Sequence, residues 1–540
     1  MKFDWTNPYR TLRTPLFARN VVSTSHPLAA QAGVRMLLAG GNAADAALAA
    51  AAMLTVVEPV SNGLGSDAFA ILWDGRQLHG LNSSGPAPAA WTLDYFRGRH
   101  GEDGNGAAKI PVRGWDTVTV PGAVAAWGAL HERFGSLPFA DILAPAVEAA
   151  ERGVAVPPVV AAKWAEAVPL LKEYPGWAQT FMPSGRAPEV GEKFVFPGAA
   201  KLLRLLAQGG VREFYEGKAA EALVAWSEKT GGSLVADDLS AFRPEWVTPL
   251  SVEYRGFELH EIPPNGQGIA ALAALGILRH FDLSALRPDA PESRHLQIEA
   301  MKLAFADIRR HVADPKSMRV TPGQLLDPDY LAGRAALIDP RRASFYGPGA
   351  FPSGGTVYLA AADEKGMMVS FIQSNFMGFG SGIVVPEYGI SLQNRGTAFS
   401  ADPASPNVAA PGKRPFHTII PAFLTEGGKP RMSFGVMGGE VQPQGHIQTL
   451  VRMLDYRQQP QAACDAPRFK VNVDFSVNLE SRDDPALQAA LEAMGHTVHI
   501  DPVYHGESGA GQFIWRLSDD PDQGYVAASD TRRDGCACGF

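Results

Sequence analysis

The feature that most constrains this chain is a glycine pair followed by a threonine that opens a strand pattern. In residues 351–358 two glycines directly precede Thr356, and glycine lets a backbone turn where a Cβ would clash. Residues 356–362 predict a strand, Asp363-Glu364-Lys365-Gly366 a turn, and residues 367–374 the returning strand. Thr356 is therefore expected at the head of a hairpin, directly after a flexible segment.

A cut between Gly355 and Thr356 would give the threonine its own free amine. An α-amino group has a pKa of about 8 in model peptides, so it can accept the proton of the hydroxyl, and one residue then supplies both nucleophile and base. The Pro- and Gly-rich residues 339–355 are the predicted processing linker. The alternative is an ordinary turn, which most Gly-Gly-Thr triplets form.

Composition excludes several classes of protein. The chain has 540 residues, of which 46% are hydrophobic and 19% charged, as in folded globular proteins, and its length predicts roughly two to four domains. A net charge of −8 provides no basic surface, so we expect no nucleic-acid partner.

The sequence also favours a soluble, cytoplasmic protein. The N-terminal residues lack the apolar segment of a signal peptide. The longest apolar run, residues 46–57, is too short to span a bilayer, so no membrane partner is expected. Three cysteines do not make a disulfide framework. Cys536 and Cys538 are too close together for a structural zinc pair, and we expect no metal and no cofactor.

The local patterns indicate a chain of mixed α and β structure. Asn42 is predicted to cap a helix over residues 43–57, and residues 123–242 are mostly helical in pattern, whereas strands dominate after Thr356. Gly63-Leu64-Gly65-Ser66-Asp67-Ala68 formally fits a dinucleotide fingerprint. That fingerprint needs a strand before it and a helix after it, and here the order is reversed, so we reject it.

Several motifs in fixed order resemble the γ-glutamyltransferase family from about residue 15 to the C-terminus. The motifs that resemble the large-subunit half are His26-Pro27-Leu28-Ala29-Ala30, Gly40-Gly41-Asn42-Ala43-Ala44-Asp45-Ala46 and Val120-Pro121-Gly122. Those that resemble the small-subunit half are Gly355-Thr356-Val357-Tyr358, Gln373-Ser374-Asn375, Gly378-Phe379-Gly380-Ser381-Gly382, Lys413-Arg414-Pro415-Phe416-His417-Thr418 and Met437-Gly438-Gly439.

The resemblance implies an α/β (α+β) fold, a four-layer αββα sandwich of the N-terminal nucleophile hydrolase type. It implies self-cleavage into chains 1–355 and 356–540 that stay intertwined, with a homodimer of such pairs as a candidate assembly. Thr356 would be the nucleophile, and Gly438-Gly439 would form the oxyanion hole, the alternative being a tight turn. Ser374 would hydrogen-bond Thr356, the alternative being an ordinary strand serine.

The predicted substrate site departs from the transpeptidase pattern. Family transpeptidases hold the substrate's α-carboxylate with an arginine, but residues 82–88, which include Ser84, contain none. The family's aspartate for the α-amino group is replaced by Ala398, and its paired serines by His417 and Thr418. Each lost contact costs on the order of 2 to 4 kcal/mol if unreplaced, so efficient use of glutathione is not expected.

Arg395, beside Asn394, is predicted to supply a new carboxylate contact, the alternative being a surface arginine. Ser84, Asn394, Arg395, His417 and Thr418 form the predicted substrate site, although His417 could instead be a core histidine. The pattern resembles the hydrolase-like branch that includes oxamate amidohydrolase and cephalosporin-acylase-like proteins. We therefore predict an amidohydrolase for a small carboxylate-bearing amide such as oxamate. The alternatives are γ-glutamyl transfer, a glutaryl or cephalosporin acylase, and a non-catalytic family member with a binding role.

Overall fold

The computed structural model describes residues 12–346, 355–502 and 508–540. Its helices in chain order are α1 (Pro27–Leu38), α2 (Ala43–Val57), α3 (Leu93–His100), α4 (Ala123–Phe134), α5 (Phe139–Arg152), α6 (Pro158–Leu171), α7 (Trp177–Phe181), α8 (Pro197–Gly209), α9 (Lys218–Thr230), α10 (Ala236–Ser240), α11 (Gly268–Leu278), α12 (Pro291–His311), α13 (Pro322–Leu325), α14 (Pro328–Ala335), α15 (Val441–Leu450), α16 (Pro460–Asp465) and α17 (Pro485–Ala493).

The strands in chain order are β1 (Leu16–Ala18), β2 (Val21–Thr24), β3 (Asp67–Trp73), β4 (Leu78–Ser83), β5 (Val154–Ala155), β6 (Lys193–Phe194), β7 (Glu245–Val247), β8 (Leu250–Tyr254), β9 (Phe257–Glu261), β10 (Gly355–Ala362), β11 (Met368–Phe376), β12 (Val384–Val385), β13 (Ile390–Ser391), β14 (Ala422–Glu426), β15 (Lys429–Met437), β16 (Phe469–Val471), β17 (Val477–Glu480), β18 (Val498–Asp501), β19 (Ala510–Arg516), β20 (Tyr525–Ser529) and β21 (Cys536–Gly539).

Two seven-stranded antiparallel sheets form the centre of the molecule. One has the order β21-β2-β10-β11-β3-β4-β7 and carries Thr356, and the other has the order β1-β20-β19-β15-β14-β9-β8. The sheets face each other across an apolar layer that includes Phe69, Tyr358, Phe423 and Ile514. Opposed faces of two sheets bury these side chains on both sides, and buried hydrogen bonds also cross the layer, such as that from Ser23 Oγ to Gln512 Oε1 at 2.7 Å.

Helices cover the outer face of each sheet. Helices α1, α2, α4 and α5 build a large core over the sheet that holds β10, in which α2 is buried along its whole length. Helices α11, α12 and α15 build a second core over the other sheet. The predicted four-layer αββα sandwich is therefore confirmed, and the antiparallel pairing makes it an α+β arrangement.

Both sheets join strands from the two sides of the predicted cut. Strand β10 pairs with β2, β11 with β3, and β14 with β9. The residues before and after Thr356 therefore share one continuous hydrogen-bonded framework. A cut at this point would leave two chains held together by the sheets themselves.

Most predicted elements agree with the structure to within a few residues. Helix α2 has the predicted bounds, and Asn42 caps it by accepting from the amides of Ala44 and Asp45 at 2.9 and 3.1 Å. Helix α15 continues directly as a π-helical turn, Val451–Asp455. Residues 347–354 of the predicted linker lie outside the described residues. In the part of the chain that the structure describes, no helix is both long and apolar enough to cross a bilayer.

Candidate active site

Thr356 lies at an irregularity in the hairpin of β10 and β11. Pairing runs from Gly355 opposite Phe376 to Val357 opposite Gln373, so Thr356 faces two residues of the partner strand. Such a bulge redirects a side chain away from the regular pleat. The Thr356 side chain is buried, and its Oγ1 donates to Ser374 Oγ at 3.2 Å.

Two further groups hold this hydroxyl pair. Ser374 Oγ accepts from the amide of Phe376 at 2.8 Å, and Gln442 Nε2 donates to Thr356 Oγ1 at 3.4 Å. Gln442 is itself held because its Oε1 accepts from the amide of Ile420 at 2.9 Å. The predicted Thr356–Ser374 contact is therefore present, and the hydroxyl has a defined position.

The glycine pair 438–439 forms the turn between β15 and α15. Gly438 has φ of +128° and Gly439 φ of +60°, a region that favours glycine. Gln267 Nε2 donates to Gly439 O at 2.8 Å and to Thr418 O at 2.5 Å. This amide ties the turn to the segment that carries the predicted substrate residues, and the oxyanion role of the glycines stays a prediction.

Arg395 is a buried cation with unused hydrogen-bonding capacity. Its side chain is fully buried, Nη1 donates to Thr418 Oγ1 at 2.7 Å, and the guanidinium lies 4.5 Å from the ring centroid of Phe376. Nε and Nη2 have no partner among the described residues. Burial lowers the pKa of Arg395 to about 9, against the opposing effect of the negative charge of Asp67. A surface position, the alternative in the sequence, is excluded.

Asp67 is the buried acid whose negative charge acts on the Arg395 guanidinium. Its Oδ1 accepts from the amide of Gly122 at 3.2 Å, and its Oδ2 lies 3.0 Å from His417 Nε2. Burial raises the pKa of Asp67 to about 7, although Arg395 and the amides of Gly85 and Gly122 act in the opposite direction.

His417 has a protein partner at each ring nitrogen. Its Nδ1 accepts from the amide of Ile419 at 3.3 Å, so Nε2 carries the proton and donates to Asp67. Burial and the charge of Arg395 hold the pKa of His417 well below its usual value. The neutral ring also packs against Phe69 with centroids 4.8 Å apart, as the core alternative predicts.

Ser84 and Asn394 support the site through contacts within the protein. Ser84 Oγ donates to Asn82 Oδ1 at 2.8 Å and accepts from Asn265 Nδ2 at 3.1 Å. Asn394 Oδ1 accepts from the amide of Met377, and its Nδ2 donates to Val112 O. Contact of either residue with substrate stays a prediction.

Two residues of the site, Asp67 and Gln442, are not predicted from the sequence. Asp67 lies in the rejected dinucleotide motif, and an acid in a glycine-rich loop is a usable signal. Gln442 follows the glycine pair closely, but its contact with Thr356 spans 86 residues. No local pattern indicates such a contact.

A cluster of potential metal ligands lies elsewhere, at α12, and combines His295 and Glu299 of that helix with His496, which follows α17. Atoms of His295, Glu299 and His496 lie within 4.8 Å of one another. The Lys302 ammonium, however, donates to Glu299 Oε1 at 2.8 Å and to His496 Nδ1 at 3.2 Å. A metal cation would face this positive charge at close range. We therefore interpret the cluster as a buried hydrogen-bond network with a structural role.

The sandwich and its hairpin threonine define the class of N-terminal nucleophile hydrolase folds. A family model described as Gamma-glutamyltranspeptidase matches residues 29–540. The chain therefore belongs to the γ-glutamyltranspeptidase family, and it is an enzyme of the hydrolase or transferase type.

Three similar proteins have related names. The chain is 35% identical to a glutathione hydrolase-like YwrD proenzyme of Bacillus subtilis, with 97% of this chain and 98% of that one covered. It is 36% identical to an oxamate amidohydrolase proenzyme of Klebsiella pneumoniae, with 95% and 97% covered. The crystal structure of a cephalosporin acylase from Bacillus halodurans superposes with a TM-score of 0.93 at 45% identity, with 100% and 99% covered.

Proposed function

We propose that this protein is an autoprocessing threonine amidohydrolase that cleaves a small amide bearing one carboxylate, such as oxamate. The observation that carries the proposal is the buried Arg395 guanidinium, whose Nε and Nη2 lack partners among the described residues. A buried charge of this kind is costly unless it is paired. A substrate carboxylate supplies that pair in the bidentate geometry that arginine favours.

Processing would use the Thr356 hydroxyl on the bond before it. The hydroxyl attacks the Gly355 carbonyl, the acyl group moves from nitrogen to oxygen, and water hydrolyses the ester. The products are chains 1–355 and 356–540, and the new α-amine of Thr356 then serves as base. The pairing of β10 with β2 supports a stable two-chain product. Assembly into a homodimer of such pairs and a cytoplasmic location are further parts of the proposal.

Catalysis would repeat the same attack on a substrate. Thr356 Oγ1 attacks the amide carbonyl, the backbone amides of the Gly438–Gly439 turn stabilise the oxyanion, and ammonia or an amine leaves. Water then hydrolyses the acyl-enzyme. Ser374, which accepts from Thr356 Oγ1 at 3.2 Å, orients the nucleophile. Ala398 offers no charge for a substrate ammonium group, which favours a carboxylate-only acyl group over γ-glutamyl.

A denaturing gel with N-terminal sequencing tests the nucleophile. Two bands are expected, and the smaller one should begin Thr-Val-Tyr-Leu. Thr356→Ala should leave one band, whereas Thr356→Ser keeps a hydroxyl and should still be cut. An uncut wild-type chain without hydrolytic activity would support the non-catalytic alternative instead.

A second candidate is an acylase for glutaryl or cephalosporin-type amides. The specific observation in its favour is the 45% identity and full-length superposition with the cephalosporin acylase structure. Both candidates need a carboxylate on the acyl group, so rates for oxamate, a glutaryl anilide and a γ-glutamyl anilide separate them. The highest kcat/KM on the γ-glutamyl anilide would instead support transferase chemistry.

A further inference from the structure

A carboxylate that binds at Arg395 would change the charge balance of a closed site. In the free protein the site holds a buried cation, Arg395, a buried acid, Asp67, and a neutral His417. Both charged residues are fully buried. A substrate carboxylate adds a second negative charge, which a buried site accommodates poorly without a compensating proton.

We propose that Asp67 takes up one proton from solvent when a carboxylate binds at Arg395, and that it thereby tunes the site for substrates with a single carboxylate. This inference rests on the proposed function of Arg395. The proton adds to a carboxylate oxygen of Asp67, and no other bond changes. Asp67 is a positioning residue, because it acts through the charge of Arg395.

The surroundings of Asp67 favour this residue as the proton acceptor. The titratable and charged groups that act on it or face it are Arg395, His417, Arg414 and Tyr215. His417 cannot take the proton easily because its Nδ1 accepts from the Ile419 amide. Arg395 and Arg414 are already cationic, and burial raises the pKa of the Tyr215 hydroxyl above its usual value.

Arg395 also favours the ionised form of Asp67. Its positive charge opposes the effect of burial on the Asp67 carboxyl, whose pKa stands at about 7 with no ligand bound. A bound carboxylate neutralises that cation, so the Asp67 pKa moves higher and protonation becomes favoured at neutral pH. Proton uptake is then the direct consequence of pairing at Arg395.

The experiment is calorimetric titration of the processed wild-type enzyme with propionate at pH 8. Propionate is a monocarboxylate close to oxamate in size, without an amide to cleave. Titration in phosphate and in Tris, whose protonation enthalpies differ, gives the number of protons taken up. We expect about one proton per bound propionate, and a dissociation constant that rises about tenfold per pH unit above pH 7.

Two variants provide the matched comparison. Asp67→Asn keeps an oxygen that can accept from His417 but cannot titrate, and should reduce proton uptake to near zero. Thr418→Val removes the Arg395 hydrogen bond of 2.7 Å without a change of charge, and should weaken binding while uptake persists. If Asp67→Asn fails to fold, the wild-type titration in the two buffers still tests whether propionate binding takes up a proton.

Three outcomes would overturn the inference: no binding of propionate, binding without proton uptake, or undiminished uptake in Asp67→Asn. Different results would contradict the proposed function, namely no cut before Thr356 or no amide hydrolysis. A protein that binds propionate with proton uptake but cleaves no amide would keep the inference and lose the proposed reaction.

Discussion

Two buried clusters of charge in this molecule differ in how completely their hydrogen bonds are satisfied. The cluster on α12 joins Lys302 to Glu299 and His496, and His496 lies 2.8 Å from His295. The cluster near the nucleophile joins Arg395 to Thr418 and Asp67 to His417. Both clusters are buried, yet within these two groups of described residues only Arg395 has side-chain nitrogens without partners.

The α12 network has one consistent pattern of protons. His295 Nε2 donates to Asp339 O, so its Nδ1 accepts from His496 Nε2, and His496 Nδ1 accepts from Lys302. Glu299 also accepts from the Ser344 amide and the Tyr346 hydroxyl. A satisfied network of this kind stabilises one structure, whereas an unsatisfied cation is suited to bind a ligand.

The largest expected effect is on stability, from loss of the α12 cation. Lys302→Met leaves Glu299 as a buried charge without its counter-ion, and should lower the free energy of unfolding by about 3 to 5 kcal/mol. Chemical denaturation of the single-chain Thr356→Ala background measures it. The double variant with Glu299→Gln should recover part of the loss, and no recovery would mean that the pair does not act as a unit.

Loss of Arg395 should reduce activity more than stability. Arg395→Met removes the proposed carboxylate contact and should lower kcat/KM for oxamate roughly 10²- to 10³-fold. Stability in the same single-chain background should fall less than in Lys302→Met, because Asp67, whose pKa burial already raises to about 7, can become neutral when the Arg395 charge is lost. A large loss of stability in Arg395→Met together with full specific activity would reverse the roles assigned to the two clusters.

The pH dependence of stability should differ in sign between the clusters. Burial, Lys302 and His295 lower the His496 pKa to about 3, so the unfolded chain binds more protons below pH 6.5 and this contribution is lost as pH falls. The Asp67 pKa is raised to about 7, so its contribution is present in acid and is lost as pH rises from about 4 to 7.

Denaturation across this pH range, with His496→Asn and Asp67→Asn as references, measures both contributions. The stability difference between wild type and His496→Asn should shrink toward acid, and that between wild type and Asp67→Asn should shrink toward neutral pH. Each slope is at most about 1.4 kcal/mol per pH unit for one proton. Slopes of the same sign for both residues would contradict the assigned protonation states.

The smallest expected effect concerns a neutral hydrogen bond in the active site. Ser374→Ala removes one of the two partners of Thr356 Oγ1 and should slow hydrolysis roughly 3- to 10-fold, the value of one ordinary hydrogen bond. Ser370→Ala on the same strand removes a contact with the Tyr358 hydroxyl and is the matched control. Equal rate losses in both variants would show that the effect arises from the strand and not from Thr356.

The sequence predicted elements well where local signals were strong. The predicted cap at Asn42 and the predicted bounds of α2 agree with the structure, and the Gly-Gly-Thr pattern predicted the start of β10. The contacts of the site were harder to predict, because Asp67 meets His417 across 350 residues. The partner-free nitrogens of Arg395 are a property of three-dimensional packing, and no motif marks the Lys302 network.

The most direct test of the carboxylate site compares two substrates of the processed enzyme. Oxamate and oxamide have the same scissile amide, but oxamide carries a second amide in place of the carboxylate. We predict that wild type favours oxamate by at least roughly 10²-fold in kcat/KM, and that Arg395→Met removes most of this preference. Equal rates in wild type, or a preference that survives in Arg395→Met, would contradict the central role given to Arg395.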